Sequence, residues 1–207
     1  LKKGNEKFLA AVRGIPDSEV RLALAEIEKV HCTGAWLREY LKGQTLSGFV
    51  STFIRTLETA GNLGLGIEWK RHPLLIERNW GSFNQEPPEV QKLLREAARR
   101  DRLHARMPNG QAYSDLFDST HAFFGTIQRE PEQNTVIAVC HGERMWVVRY
   151  LLERMTETRF AELLDSRHLG DQIRNCQVLE YTRVDPETAQ LEENLTWFRS
   201  FCPWDLR

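Results

Sequence analysis

The stretch Thr135-Val136-Ile137-Ala138-Val139-Cys140-His141-Gly142-Glu143 decides how this chain is read. A β-branched apolar run ends abruptly in a histidine and a glycine. That is the pattern of a buried strand presenting an imidazole at its C-terminal edge. Gly142 lets the backbone turn tightly and lets a ligand approach closely. A helical pattern follows at once, with Met145, Val148, Leu151 and Leu152 on one side. In open α/β sheets, ligands bind beyond the carboxyl ends of the strands, at the feet of such helices. Taken alone, His141 reads equally well as a core histidine at a strand end, so the neighbouring segments have to decide.

Leu46 to Val50 reads as a short strand. Ser51-Thr52 is then expected to cap a helix carrying Phe53, Ile54, Leu57 and Ala60. Arg55 falls in the first turn of that helix, where a guanidinium fork and the helix amides converge on one phosphate. The segment Leu74 to Phe83 delivers Glu77 next to Trp80-Gly81. A carboxylate beside aromatic surface has a raised pKa, as a general acid needs. The plainer reading is a surface glutamate paired with Arg78. Upstream, Val20 to Leu41 has helical spacing, and His31 within it reads as a helix-surface or core histidine.

Pro87-Pro88 opens a charged helix to about Arg102, part of a helical insertion over residues 86–130. Its arginines, Arg95, Arg99, Arg100, Arg102 and Arg106, are diluted by Glu89, Glu96 and Asp101, and read as a solvated face. Pro108-Asn109-Gly110 is a turn, and Ser114 to Arg129 is amphipathic. After the His141 strand and its helix come a polar loop holding His168 and a further strand within Gln172 to Tyr181. Residues 191–207 form an aromatic tail with Trp197, Phe198, Phe201 and Trp204. Packing along the domain is favoured for it over docking of a protein partner.

Alternating strands and helices imply an α/β fold, a three-layer sandwich with a mostly parallel sheet and helices on both faces. At 207 residues the chain suits one domain. Its 41% hydrophobic and 28% charged content is ordinary for a soluble globular protein. A net charge of -1 argues against general nucleic-acid binding. No apolar run is long enough to span a bilayer. The cysteines Cys32, Cys140, Cys176 and Cys202 form no CxxC pair, so no metal or cofactor is implied. Free thiols point to a reducing, cytoplasmic compartment. The chain opens at Leu1 rather than Met, which leaves room for an upstream piece such as a removed targeting segment.

Together these pieces resemble the histidine phosphatase superfamily, in its phosphoglycerate-mutase-like branch. The resemblance rests on the order Gly4, Arg55, Glu77, Pro108-Asn109-Gly110 and His141-Gly142. It implies that Arg55, Gly142 and His141 contact phosphate, that Glu77 is the proton donor, and that His141 is the second active-site histidine. In that family the first strand ends in Arg-His-Gly-Glu, whose histidine is the phosphorylated nucleophile. Here the corresponding positions read Lys2-Lys3-Gly4-Asn5. The resemblance therefore puts Lys3 at the nucleophile position and Lys2 at the first phosphate-binding arginine. Leu9 stands at a family asparagine, and Gln111-Ala112 at a Glu-Ser pair.

A lysine amine attacks phosphorus only if its pKa falls by about three units from the reference near 10.4. A bound phosphate opposes that fall. The expected protein is a pseudophosphatase, whose cationic pocket of Lys2, Lys3, Arg55 and His141 binds a phosphorylated small molecule or phosphoprotein without turning it over. A working phosphomonoesterase or mutase and a structural subunit with an empty pocket are the alternatives.

Overall fold

The computed structural model describes residues 14–131 and 134–205. Lys2, Lys3, Gly4 and Leu9 lie outside the described residues. Among those described, six α-helices occur: α1 (Ile27–Tyr40), α2 (Ile54–Leu63), α3 (Pro88–Arg100), α4 (Phe117–Ile127), α5 (Gly142–Leu152) and α6 (Glu157–Asp165). The strands are β1 (Thr45–Val50), β2 (Trp69–Arg71), β3 (Asn134–Val139), β4 (Val178–Thr182) and β5 (Trp197–Phe201). No helix among the described residues is long and apolar enough to cross a membrane.

The central sheet is parallel, in the order β2-β1-β3, and the register runs from Thr45 opposite Asn134 to Val50 opposite Val139. Side chains alternate across it. Leu46, Ile137 and Val139 face the cluster of Val30, Leu37, Leu41 and Leu63 from α1 and α2. Phe49, Val136 and Cys140 face Phe123 and Phe124 of α4. Helices thus cover both faces, as expected. A third cluster, around Trp146, Val147, Phe160 and Leu163, joins α5 to α6. Each fully buried aliphatic side chain contributes on the order of 2 kcal/mol.

Several elements depart from their sequence-based expectation. The helix expected from Val20 begins at Ile27, preceded by a 3-10 turn at Leu24–Glu26. The cause is distant in sequence: Glu58 of α2 accepts from the Leu22 amide at 2.8 Å and from Arg21 Nε at 2.6 Å, holding those residues against α2. On α5, the buried side chains are Arg144, Trp146, Val147 and Arg149 rather than the Met145 stripe. The two arginines have internal partners that let them lie inward. The aromatic tail forms β5, antiparallel to β4. Phe201 packs against Trp36 and Tyr40, and Trp204 lies between Lys29 and Arg174. Phe198 stays half-exposed, stacked on Tyr181.

The α1–α2 contact depends on Gly34. It sits on the inward stripe with Val30, Thr33 and Leu37, and a Cβ there would collide with the Leu63 carbonyl. Gly61, within α2, has no atom within 4 Å of an added Cβ. Gly34→Ala is therefore expected to destabilise by about 1–3 kcal/mol, as overpacked sites do. Gly61→Ala should stabilise by about 0.5–1 kcal/mol through helix propensity. Urea denaturation of both variants checks the pair, and a Gly34→Ala protein as stable as the parent refutes the close approach.

Candidate functional site

The register of β1 and β3 ends both strands side by side, and the Ser51 amide continues the ladder to the Val139 carbonyl at 2.9 Å. The chain leaving β3 then places His141 against Ser51, with Nε2 and Oγ 2.8 Å apart. Both residues are buried. Phe53, not the expected Ser51, is the N-cap residue of α2 and makes no side-chain cap hydrogen bond, while Ser51 Oγ accepts from the Phe53 amide at 3.4 Å. The hydroxyl also faces the imidazole, and the pair restricts which ring nitrogen carries the proton. Burial, then the charges of Arg55 and Arg144, push the His141 pKa down to about 3. His141 is therefore a neutral imidazole throughout the physiological range.

Phe53 meets the His141 ring edge-on at 5.0 Å, and the Arg55 guanidinium lies 4.9 Å from the other ring contact point, the Phe53 centroid. Arg55 sits in the first turn of α2, as expected. Its fork is already engaged: Nη1 and Nη2 donate to the two carboxylate oxygens of Asp17 at 3.0 and 3.2 Å. Nη1 also donates to the Asp17 carbonyl at 2.6 Å. This two-pronged grip has the geometry a phosphate would use. Within the described residues, then, the expected cationic pocket has its Arg55 charge matched by Asp17 and a His141 that is uncharged.

Glu77 follows the 3-10 turn Pro73–Leu75 in an irregular segment. Its Oε1 accepts from the Arg78 amide at 2.9 Å. Burial raises its pKa to about 7; Glu143 and Asp17 add to the rise, while the Arg78 amide and Arg55 oppose it. Of these charged groups, Arg55 and Asp17 are paired with each other, and Glu143 with Arg78. The Arg78 side chain does not pair with Glu77. It is sandwiched between Trp80, at 4.0 Å, and Tyr113, at 4.4 Å, with Nε on Glu143 at 2.8 Å.

Two devices hold the Glu77 segment. The expected turn at Pro108-Asn109-Gly110 packs against it: Ser82 donates to the Pro108 carbonyl, and the Gln111 amide donates to the Asn79 carbonyl. Gly81, at φ 58°, is pressed so closely on Pro108 that no side chain fits. The second device is Arg144. It donates through Nε and Nη2 to the Ile76 carbonyl at 3.2 and 3.1 Å. Through Nη1 it reaches the Leu116 carbonyl and the hydroxyls of Ser119 and Thr120. Arg144, Ser51, Asp17 and Glu143 were not anticipated from sequence. An arginine on the inward stripe of an apolar helix was the available signal for Arg144.

Gly142 does not make a tight turn, since it begins α5 without a left-handed φ. Among the described residues, no atom lies within 4 Å of where its Cβ would be. The strand ends thus assemble a neutral imidazole, a carboxyl that titrates near neutrality and an arginine fork on a displaceable carboxylate. That set can hold an oxyanion and deliver one proton.

A sequence profile of the histidine phosphatase superfamily, branch 1, matches residues 12–193, and the chain belongs to that superfamily. The matched span begins after Lys2, Lys3 and Gly4. A search of curated proteins finds no match. Among solved structures, a mycobacterial glucosyl-3-phosphoglycerate phosphatase with inorganic phosphate is 18% identical. The alignment covers 70% of this chain and 75% of that one, with a TM-score of 0.60. The alpha-ribazole phosphatase from Shigella flexneri is also 18% identical, over 73% and 77% of the two chains, with a TM-score of 0.55. A Mycobacterium tuberculosis protein is 23% identical over 70% and 71%, with a TM-score of 0.52. At these identities the likeness is one of fold.

Two outcomes follow from the geometry. Asp17→Asn is expected to tighten inorganic phosphate binding roughly tenfold, about 1.4 kcal/mol, by freeing the Arg55 fork. Titration calorimetry reads this, and unchanged affinity would remove Asp17 from the site. The second outcome concerns pH. Because burial raises the Glu77 pKa from 4.5 to about 7, the folded state holds the proton more tightly than the unfolded chain. That stability is complete below the unfolded pKa and disappears as pH rises through the folded one. Glu77→Gln should therefore gain up to about 3 kcal/mol relative to the parent between acid and neutral pH. A pH-independent difference in denaturation free energy would show that Glu77 is not perturbed.

Proposed function

We propose that this member of the superfamily binds a phosphate monoester at the ends of β1 and β3 and turns it over weakly or not at all. One observation supports the reading: the charge of Arg55 acts on both Glu77 and His141, residues far apart in sequence. Arg55 grips the phosphate through its fork once Asp17 is displaced. The amides that open α5 add donors of the same orientation. His141, held neutral, contributes a ring nitrogen rather than a charge. Glu77, half-ionised near neutrality, is tuned to protonate a leaving oxygen.

Transfer of the phosphoryl group needs a nucleophile in line with that oxygen. The family resemblance puts Lys3 at that position, and a lysine amine is protonated near neutral pH. Binding therefore survives where turnover does not, and the ligand is a phosphorylated small molecule or phosphoprotein. The solved relatives' names, glucosyl-3-phosphoglycerate phosphatase and alpha-ribazole phosphatase, point to the same monoester chemistry. A working phosphomonoesterase is the second reading. It is favoured by the Glu77 pKa of about 7, a tuning that a binding module does not require.

Aryl phosphate hydrolysis across pH separates the two. The parent chain is expected to be inactive or nearly so, and Lys3→His to gain at least about a hundredfold, the scale of a restored catalytic group. Inorganic phosphate should raise the melting temperature of the parent and not of Arg55→Ala, because a ligand of the native state stabilises it. Turnover by the parent that Glu77→Gln abolishes would establish the phosphatase reading instead.

A further inference from the structure

We propose that the cavity beside this site selects a monoester whose leaving group is a bulky, largely apolar body ending in a second anionic group. The inference rests on the phosphate-binding reading above and adds a substrate class to it. The cavity, about 730 Å³, lies between α3, α6 and the segment from Arg78 to Phe83. Its lining does not include Arg55, Glu77 or His141, but it includes the residues one position after Glu77 and two after His141. Arg78 and Glu143, which line it, follow Glu77 and Gly142 directly, and their side chains are joined at 2.8 Å. A leaving group whose oxygen is protonated by Glu77 emerges into this space.

Size and lining decide the class. The volume is that of a site for a sizeable organic molecule, about 300–1,000 Å³, so a leaving group of a few atoms leaves most of it as solvent. Phe83, Met107, Trp146 and Leu164 supply apolar wall. The charge balance is uneven, with four arginines lining the cavity against the carboxylates Glu143 and Asp165. Arg78 is matched by Glu143, and Arg102 by Asp165. Arg95 and Arg99 remain as surplus cations: no ion pair is seen for either among the described residues. Arg95 donates to the neutral Gln91 side chain at 3.3 Å and rests over Phe83 at 5.0 Å. Arg102 Nε is buried without a hydrogen-bond partner among the described residues, a donor left for an incoming acceptor. The Arg99 charge also works against that of Arg102, and an anion between them relieves the conflict.

Arg95 and Arg99 are exposed, as expected of a solvated helix face, and they also line the cavity. A charged helix exposed on all sides spreads its arginines. Here Arg95 and Arg99, one helical turn apart on α3, join Arg102 at one opening. Stacking on Phe83 further restricts the Arg95 guanidinium. A carboxylate, sulfonate or second phosphate at the far end of an apolar body meets both cations, while the transferable phosphate sits at Arg55.

Titration calorimetry on the full chain tests this with three inert probes: inorganic phosphate, benzylphosphonate and 4-(carboxymethyl)benzylphosphonate. The aromatic body is expected to improve on phosphate, and the added carboxylate to tighten binding at least about tenfold more. Arg95 and Arg99 are exposed, so Arg95→Gln with Arg99→Gln leaves the fold intact. That double variant should lose the carboxylate increment and keep the affinity for phosphate and benzylphosphonate. An increment below about twofold, or one that survives in the double variant, overturns the inference while phosphate binding stands. If phosphate fails to bind, or binds Arg55→Ala equally well, the phosphate-site reading fails. The cavity assignment then survives only if the carboxylated probe still binds in an Arg95- and Arg99-dependent way, and otherwise falls with it.

Discussion

A buried guanidinium with no ion pair among the described residues ties the parts of the candidate site together. Arg144 is 1% exposed, and its charge is met by the Ile76 and Leu116 carbonyls and the hydroxyls of Ser119 and Thr120. Stranding such a charge costs several kcal/mol, about 3–5 when a buried pair is broken. Each acceptor is therefore bound to the others through a shared penalty. Ile76 precedes Glu77, and Arg144 follows His141 by one turn of backbone. Arg144 thus ties the segment that carries Glu77 to the helix that follows His141. Burial that would penalise a charge elsewhere becomes a means of positioning here, because every donor finds an oxygen.

Where periodicity alone decides the structure, the sequence was informative. β1, β3 and the helices after them follow from an apolar run, a polar break and a helical stripe. Arg55 and Glu77 were legible for the same reason, as charges placed just past such runs. The errors share a different origin: a long-range hydrogen bond overrode a local preference. Ser51 looks like a helix cap, yet a histidine ninety positions away claims its hydroxyl. Residues 21 and 22 carry helical spacing, yet Glu58 holds them. The α3 arginines are exposed, as their sequence implies, but the cavity they line is built from distant segments and was not legible there. Lys2 and Lys3, on which the expectation of lost catalysis turns, fall outside the described residues.

The electrostatics of the site are divided between groups that give up their charge and groups that keep it. His141 and Glu77 are both pushed toward their neutral forms by burial. The arginines cannot neutralise and are instead stacked, forked or ion-paired. Such a division suits a ligand that brings its own negative charge, since the fixed cations wait for it and the titratable groups do not compete with it. Asp17 is the exception.

That exception bears on discrimination among anions. An empty site with a bare guanidinium attracts chloride, bicarbonate and every passing carboxylate. With Asp17 seated in the Arg55 fork, the resting site is an internal salt with little outward field. A monovalent ion gains nothing by exchanging with it. If phosphate binds as proposed, the dianion brings more charge and more acceptor oxygens than the carboxylate it would displace. On the proposed reading, the 3-10 turn at Asp17–Glu19 would act as a valence filter, trading affinity for immunity to the background electrolyte.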